Sequence, residues 1–264
     1  FFNRIIDLAV KDRAYPLADC HRFALLIAFA LVANLIGLAF TGMEHNLQLL
    51  LAVIVLHGLL QVANCEKATS LLWLGIIAMP LVRYETASLS AAALLFLFIR
   101  GMRWQAIAAG VVITALLASF SGFLLSLGLG FLPDSVLAKS NIASSGVAKI
   151  WANFQANLLT ISPPMPKGLV LLLAALFLSA MISSISSKPL KQLALCLVLA
   201  IILHLLAGRI GWLWRYEMYI WAVSFAFIVL LALIYKNRLA KFASVMLLLV
   251  SAEHLIAIAI IPQA

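Results

Sequence analysis

Charge is scarce in this chain, and negative charge scarcer still: nine Asp and Glu against eighteen Lys and Arg in 264 residues. Charged residues make up 10% and apolar ones 66%, and the mean hydropathy is +1.15. That shortage excludes a water-soluble domain of this length, whose surface needs polar side chains that the chain does not hold. Alternating polar and apolar stretches are also missing, which excludes a transmembrane β-barrel. Cysteine is limited to Cys20, Cys65 and Cys196, without metal-ligand spacing, and no metal site is read from them. The opening "FFNRIID" has no Met, and no cleavable signal pattern follows it, so residues upstream of Phe1 are expected. No domain boundary, low-complexity linker or long repeat is visible.

What the chain does have is continuous apolar runs close to the length of helix that crosses about 30 Å of hydrocarbon. They predict an all-α polytopic transmembrane bundle of about nine spans, at 23–40, 47–64, 69–83, 86–99, 105–128, 168–186, 191–208, 217–235 and 242–261. Residues 1–22 read as a cytosolic lead-in and 23–264 as the transmembrane domain, with its longest outer loop at 129–167. Starting in the cytosol places twelve Lys and Arg on inner segments and six on outer ones, the asymmetry of the positive-inside rule. Cys20 and Cys65 then both face the cytosol, where a disulfide is not expected. The net charge of +9 does not point to nucleic acid, because the basic residues are scattered at the ends of apolar segments. Within the outer loop, Val147, Ile150, Trp151, Phe154 and Leu158 fall at helical spacing. They predict a short interfacial helix with Trp151 at headgroup level, or a connector packed on the bundle.

The outer face gathers charges that lipid does not favour. Arg83, Arg209 and Arg215 stand hard against apolar helices, with Glu44, Glu85, Asp134 and Glu217 on the same side. Charges at such depth cost a few kcal/mol each unless paired or hydrated, so they tend to mark a site. Arg-Tyr-Glu occurs twice, at Arg83-Tyr84-Glu85 and Arg215-Tyr216-Glu217. Inside a regular helix the Arg and Glu would point about 200° apart, whereas an extended lead-in puts them on one side. Each tripeptide is therefore expected to straddle a helix start, with Arg reaching a cavity and Glu anchoring the positive helix end.

Four outer stretches, "TGMEHNLQ" (41–48), "LVRYETA" (81–87), "FLPDSVLAKS" (131–140) and "GRIGWLWRYEMY" (208–219), stand out in order. Together they resemble motifs of the bacterial GT-C superfamily of polytopic membrane glycosyltransferases, which use polyprenyl-phosphate-linked sugars. Gly42-Met43-Glu44 matches a Gly-Met-Glu-Thr motif, with His45 in place of Thr. Arg83 and Glu85 match Thr-Arg-Pro-Glu-Gly, with Tyr84 in place of Pro. Leu132, Pro133 and Lys139 match Leu-Pro-Asn-Thr-x-x-x-Lys, with Asp134-Ser135 in place of Asn-Thr. Arg215-Tyr216 matches an Arg-aromatic pair at a helix mouth. The likeness runs over about residues 25 to 235, as the C-terminal portion of such an enzyme, and it implies a catalytic Asp upstream of this chain.

The resemblance implies transfer of a sugar from a polyprenyl-phosphate donor to an acceptor at the outer face of a bacterial inner membrane, with inversion. A phosphate leaves without protonation, so the site must chiefly neutralise its charge. Arg83, Lys139, Arg209 and Arg215 are the candidates for phosphate contact, as Arg grips two phosphate oxygens at once; each also reads as a side chain snorkelling to headgroups. Glu44, His45, Glu85, Asp134, Tyr216 and Glu217 are candidates for organising substrate or site. The carboxylates could orient sugar hydroxyls, help bind a divalent cation or assist deprotonation of the acceptor. No catalytic residue is assigned, Glu44 being the open candidate. Tyr84, Tyr216, Trp212 and Trp214 also fit an aromatic belt, and His57 and His204 read as hydrogen-bonded core residues. The alternative is a secondary transporter or lipid flippase using Glu253 and His254 near mid-membrane; a third reading, a scaffold without chemistry, leaves the outer charges unexplained.

Overall fold

A computed structural model of the chain describes residues 1–10, 17–35, 43–131, 147–159, 161–162, 165–208, 210, 216–235 and 245. Ten α-helices follow one another among these residues: α1 (Phe2–Val10), α2 (Asp19–Val32), α3 (Met43–Ala63), α4 (Ser70–Val82), α5 (Ala87–Ile99), α6 (Arg103–Ser126), α7 (Val147–Leu159), α8 (Lys167–Met181), α9 (Lys188–Ala207) and α10 (Met218–Tyr235). The described residues also include a two-rung antiparallel ladder, with Ile161 opposite Pro166 and Ser162 opposite Met165.

Among the described residues four helices are long and apolar enough to cross a membrane: α3 from Glu44, α6, α9 and α10, with 20, 24, 20 and 18 residues. At 1.5 Å per residue these reach about 27–36 Å. The expected spans at 69–83, 86–99 and 168–186 are also helices, but with only 13, 13 and 15 residues. An apolar run in the sequence counts the residues of turns as well, and here the turns take their share. Arg83 is extended after α4, Tyr84–Thr86 form a 3-10 turn before α5, and Ile182–Ser184 form another after α8. The expected span at 23–40 corresponds to the 14-residue α2; the one at 242–261 lies outside the described residues apart from Val245.

Helix α10 forms the centre of the bundle. Every residue from Met218 to Ala232 is buried, as befits a helix that is apolar all round. Helix α3 packs against it, and α4 against α3. The α3–α4 contact is close because two glycines permit it. A Cβ on Gly58 would lie 2.8 Å from Leu72 Cβ, and one on Gly75 would lie 3.0 Å from Val55 Cγ2. Small residues bring backbones together in this way where lipid, rather than water, surrounds the helices. Helix α6 stands at the rim on α4 and α5, burying Ala106, Ala109, Ser121 and Leu124. Its Val111, Leu116, Phe120 and Phe123 face outward, an apolar surface that suits a hydrocarbon solvent.

Residues 2–10, which the sequence assigns to a lead-in, form a packed helix. Phe2, Ile5, Ile6, Ala9 and Val10 make one apolar stripe and are all buried. Phe2 stacks on Phe29 of α2 with ring centres 4.2 Å apart, and Arg22 of α2 donates to Asp7 at 2.5 Å. His57, deep in α3, is buried and meets the ring of Phe1 edge-on. Cys20, Cys65 and Cys196 are free thiols.

Candidate functional site

Chain direction brings five helix ends to one end of the bundle: the starts of α3, α5 and α10 and the finishes of α4 and α9. The first Arg-Tyr-Glu lies among them. Helix α4 stops at Val82, Arg83 is extended at φ −154° and ψ 130°, and α5 starts after the 3-10 turn. The Thr86 hydroxyl closes that turn by donating to the Arg83 carbonyl at 2.7 Å. With its lead-in extended, the tripeptide puts Arg83 and Glu85 on one side, and Arg83 Nη2 donates to Glu85 Oε1 at 3.1 Å.

The same guanidinium reaches the first turn of α3. Nη1 donates to Glu44 Oε1 at 2.6 Å and lies 3.5 Å from His45 Nε2. Its carbon stands 4.8 Å from the centre of the Tyr216 ring, a cation–π contact. His45 meets Tyr216 edge-on at 6.4 Å. Glu44, His45, Arg83, Glu85 and Tyr216 are thus brought together from three separate parts of the chain. Glu217 begins α10, where its carbonyl accepts the Ile220 and Trp221 amides at 3.1 Å, and its side chain is fully buried. Lys139, Asp134, Arg209 and Arg215 lie outside the described residues, as do Glu253, His254, Trp212 and Trp214.

Helix ends explain why lipid-facing architecture tolerates these charges. Glu44, Glu85 and Glu217 each stand at the positive start of a helix, and Arg83 stands at the negative finish of one. They do not explain who is exposed. The Arg83 side chain is 8% exposed, Glu85 18% and Glu44 60%. Sequence reasoning has Arg reaching a cavity and Glu anchoring the helix. In the first tripeptide the guanidinium lies inside, held by two carboxylates, and Glu44 is the group that meets solvent. The fork of Arg permits this, since its two terminal nitrogens satisfy two partners at once.

Behind the charges lies a neutral network that the sequence alone did not single out. The Tyr219 hydroxyl donates to the Glu85 carbonyl at 2.7 Å, and it lies 2.7 Å from Ser88 Oγ and 2.9 Å from His204 Nδ1. His204 is buried and hydrogen-bonded, as expected of a core histidine. The signal for Tyr219 was its place three residues after Tyr216.

Helix α7 closes this end of the bundle, and it does so inside out. Trp151 and Leu159 are exposed, whereas Asn153 and Asn157 are buried. Asn153 Nδ2 donates to the carbonyls of Leu206 at 2.9 Å and Gly208 at 3.2 Å; Asn157 Nδ2 donates to Leu205 at 2.8 Å and Gly208 at 2.9 Å. These are the carbonyls that the last turn of a helix leaves without intrahelical partners. Gly208 admits the arrangement, because a Cβ there would stand 2.6 Å from the His204 carbonyl oxygen. A helix is present where the short outer-loop helix is expected, and two of its amides tie it to the end of α9. The readable signal was two Asn at i, i+4 in an apolar stretch.

Among the described residues no three His, Cys, Asp or Glu converge to hold a metal ion. Compared with known proteins, the chain matches no family model, no curated protein and no solved structure. The site must therefore be argued from its own geometry.

Proposed function

We propose that this chain belongs to a membrane glycosyltransferase of the GT-C kind, which moves a sugar from a polyprenyl-phosphate donor to an acceptor at the extracytoplasmic face. One observation carries the reading. Glu44, Arg83 and Tyr216, from three of the four motif-bearing segments, meet around a single buried guanidinium. A scaffold gains nothing from converging these groups at one helix-end cluster with an exposed carboxylate. In this reading the bundle crosses a bacterial inner membrane about nine times, with the start of the chain on the cytosolic side.

Transfer breaks the bond between the anomeric carbon and the phosphate oxygen, and the electron pair leaves with the phosphate. The acceptor oxygen bonds to the same carbon from the opposite side and gives up its proton to a base. The leaving phosphate needs cations, and Arg83 already spends both terminal nitrogens on carboxylates. Lys139, Arg209 and Arg215 are then the phosphate ligands, and Arg83 with Glu85 holds the frame. Glu44 is the exposed carboxylate, placed to accept hydrogen bonds from substrate hydroxyls; Asp134 joins it on the site's outer loop.

The test is sugar transfer by the full-length protein in proteoliposomes supplied with polyprenyl-phosphate sugars. Arg215→Ala is expected to lower turnover by about 10²–10³-fold, the usual loss when a charge-stabilising donor is removed, while the protein stays folded; Arg83→Ala is expected to lower it by releasing the Glu44 and Glu85 carboxylates from the frame. Full activity in both variants overturns the reading.

A further inference from the structure

Gln48 stands one turn inward of Glu44 and His45 on α3, at the i+4 and i+3 positions that share their face. It is 1% exposed, and its Nε2 has no hydrogen-bond partner. Arg83 Nε is likewise buried without a partner, although Nη1 and Nη2 are engaged. Buried donors left unspent weaken a fold, and they are rare enough that each asks for a reason. Here two occur in side chains of the same cluster, below the one carboxylate that reaches solvent.

The charge of this cluster says what it receives. Among the described residues, the Glu44 and Glu85 carboxylates both pair with the one guanidinium of Arg83. An excess of carboxylate repels a phosphate. Sugar hydroxyls are neutral, donate to carboxylates and accept from amides, and so use both kinds of group at once. Tyr216 adds an aromatic ring beside them.

We propose that Glu44 and Gln48 form the sugar-binding side of the site, with Glu44 accepting from ring hydroxyls and the Gln48 amide donating to a substrate oxygen. This rests on the glycosyltransferase reading and adds to it a direction: the glycosyl group lies over the start of α3, and the lipid phosphate lies away from it. Gln48 is the deeper of the two and therefore the one that reads which hydroxyl is present. A pocket built to hydrogen-bond a hydroxyl rejects an analogue that lacks it, since its own buried group is left unpaired.

The experiment measures binding of two probes to the full-length protein in nanodiscs: polyprenyl phosphate alone, and the same lipid phosphate carrying one hexose or pentose. Wild type is expected to prefer a sugar-bearing probe. Gln48→Met keeps the length of the side chain and removes the donor; Glu44→Ala removes the acceptor. Each is expected to weaken the sugar-bearing probe by about tenfold, the order of one well-made hydrogen bond, with little change for bare polyprenyl phosphate. Gln48→Met is also expected to melt no lower than wild type, which a packing role for the amide would not give. Three results overturn the proposal: equal wild-type affinity for both probes, wild-type binding of both probes by Gln48→Met, or equal loss of both with a lowered melting temperature. If wild type binds neither probe, the glycosyltransferase reading itself falls; if it binds as expected and Gln48→Met binds alike, this proposal falls and that reading stands.

Discussion

Tyr219 and Glu85 stand 134 residues apart in sequence, and the hydroxyl of one donates to the carbonyl of the other at 2.7 Å. This bond ties the start of α10 to the turn that presents Arg83. His204 and Ser88 share the same hydroxyl, so three helices are fixed at one oxygen.

Tyr219→Phe removes that oxygen and nothing else. Ser88, His204 and the Glu85 carbonyl lose a buried partner together. A loss of about 1–3 kcal/mol is expected, the cost of a buried polar group left unsatisfied. Thermal unfolding of the purified protein in detergent reads it; an unchanged melting temperature would contradict the network.

The two carboxylates on Arg83 are expected to differ in strength. A double-mutant cycle between Arg83→Ala and Glu44→Ala should give about 0.2–1 kcal/mol, because Glu44 is 60% exposed and its pair is screened by water. The cycle with Glu85→Ala should give more, as that side chain is 18% exposed. Arg83→Lys keeps the charge but loses the fork, so it should retain only part of either coupling. Equal couplings for Glu44 and Glu85 would show that burial does not set the difference.

The inside-out packing of α7 predicts what its two amides do. In Asn153→Leu/Asn157→Leu, the carbonyls of Leu205, Leu206 and Gly208 lose their donors. Amide exchange over 147–159 is expected to quicken by at least about tenfold as the helix lifts from α9, while α3 and α10 keep their protection. Unchanged exchange would mean that the apolar contacts of α7 suffice.

Helix α3 is long enough to cross the membrane, so its two ends should label from opposite sides. Cys65 lies just past its finish and is exposed; Glu44 lies in its first turn and is exposed. In spheroplasts an impermeant maleimide should react with Glu44→Cys in a background lacking the native thiols, and in a second variant that keeps only Cys65 it should spare that thiol until the membrane is opened. Labelling of both from outside would reject α3 as a span.

Much of the architecture could be read from the residues because lipid imposes a simple local rule. Apolar runs without polar relief must be helices, and the positions of α3, α6, α9 and α10 follow closely from that. The extended lead-in at Arg83 follows as well, since only that geometry lets Arg83 and Glu85 share a side. Helix lengths were less legible at α4, α5 and α8, where the turn residues are as apolar as the helices they end.

The partners were not legible at all. That Arg83 spends itself on Glu44, 39 residues away, is decided by how α3 packs on α4, through Gly58 and Gly75. That Asn153 and Asn157 face inward is decided by the carbonyls exposed at the end of α9. Composition and periodicity act along the chain, and so they settled the helical class of the fold. Which charge is buried and which meets solvent depends on contacts between distant helices, and only the packed bundle sets those.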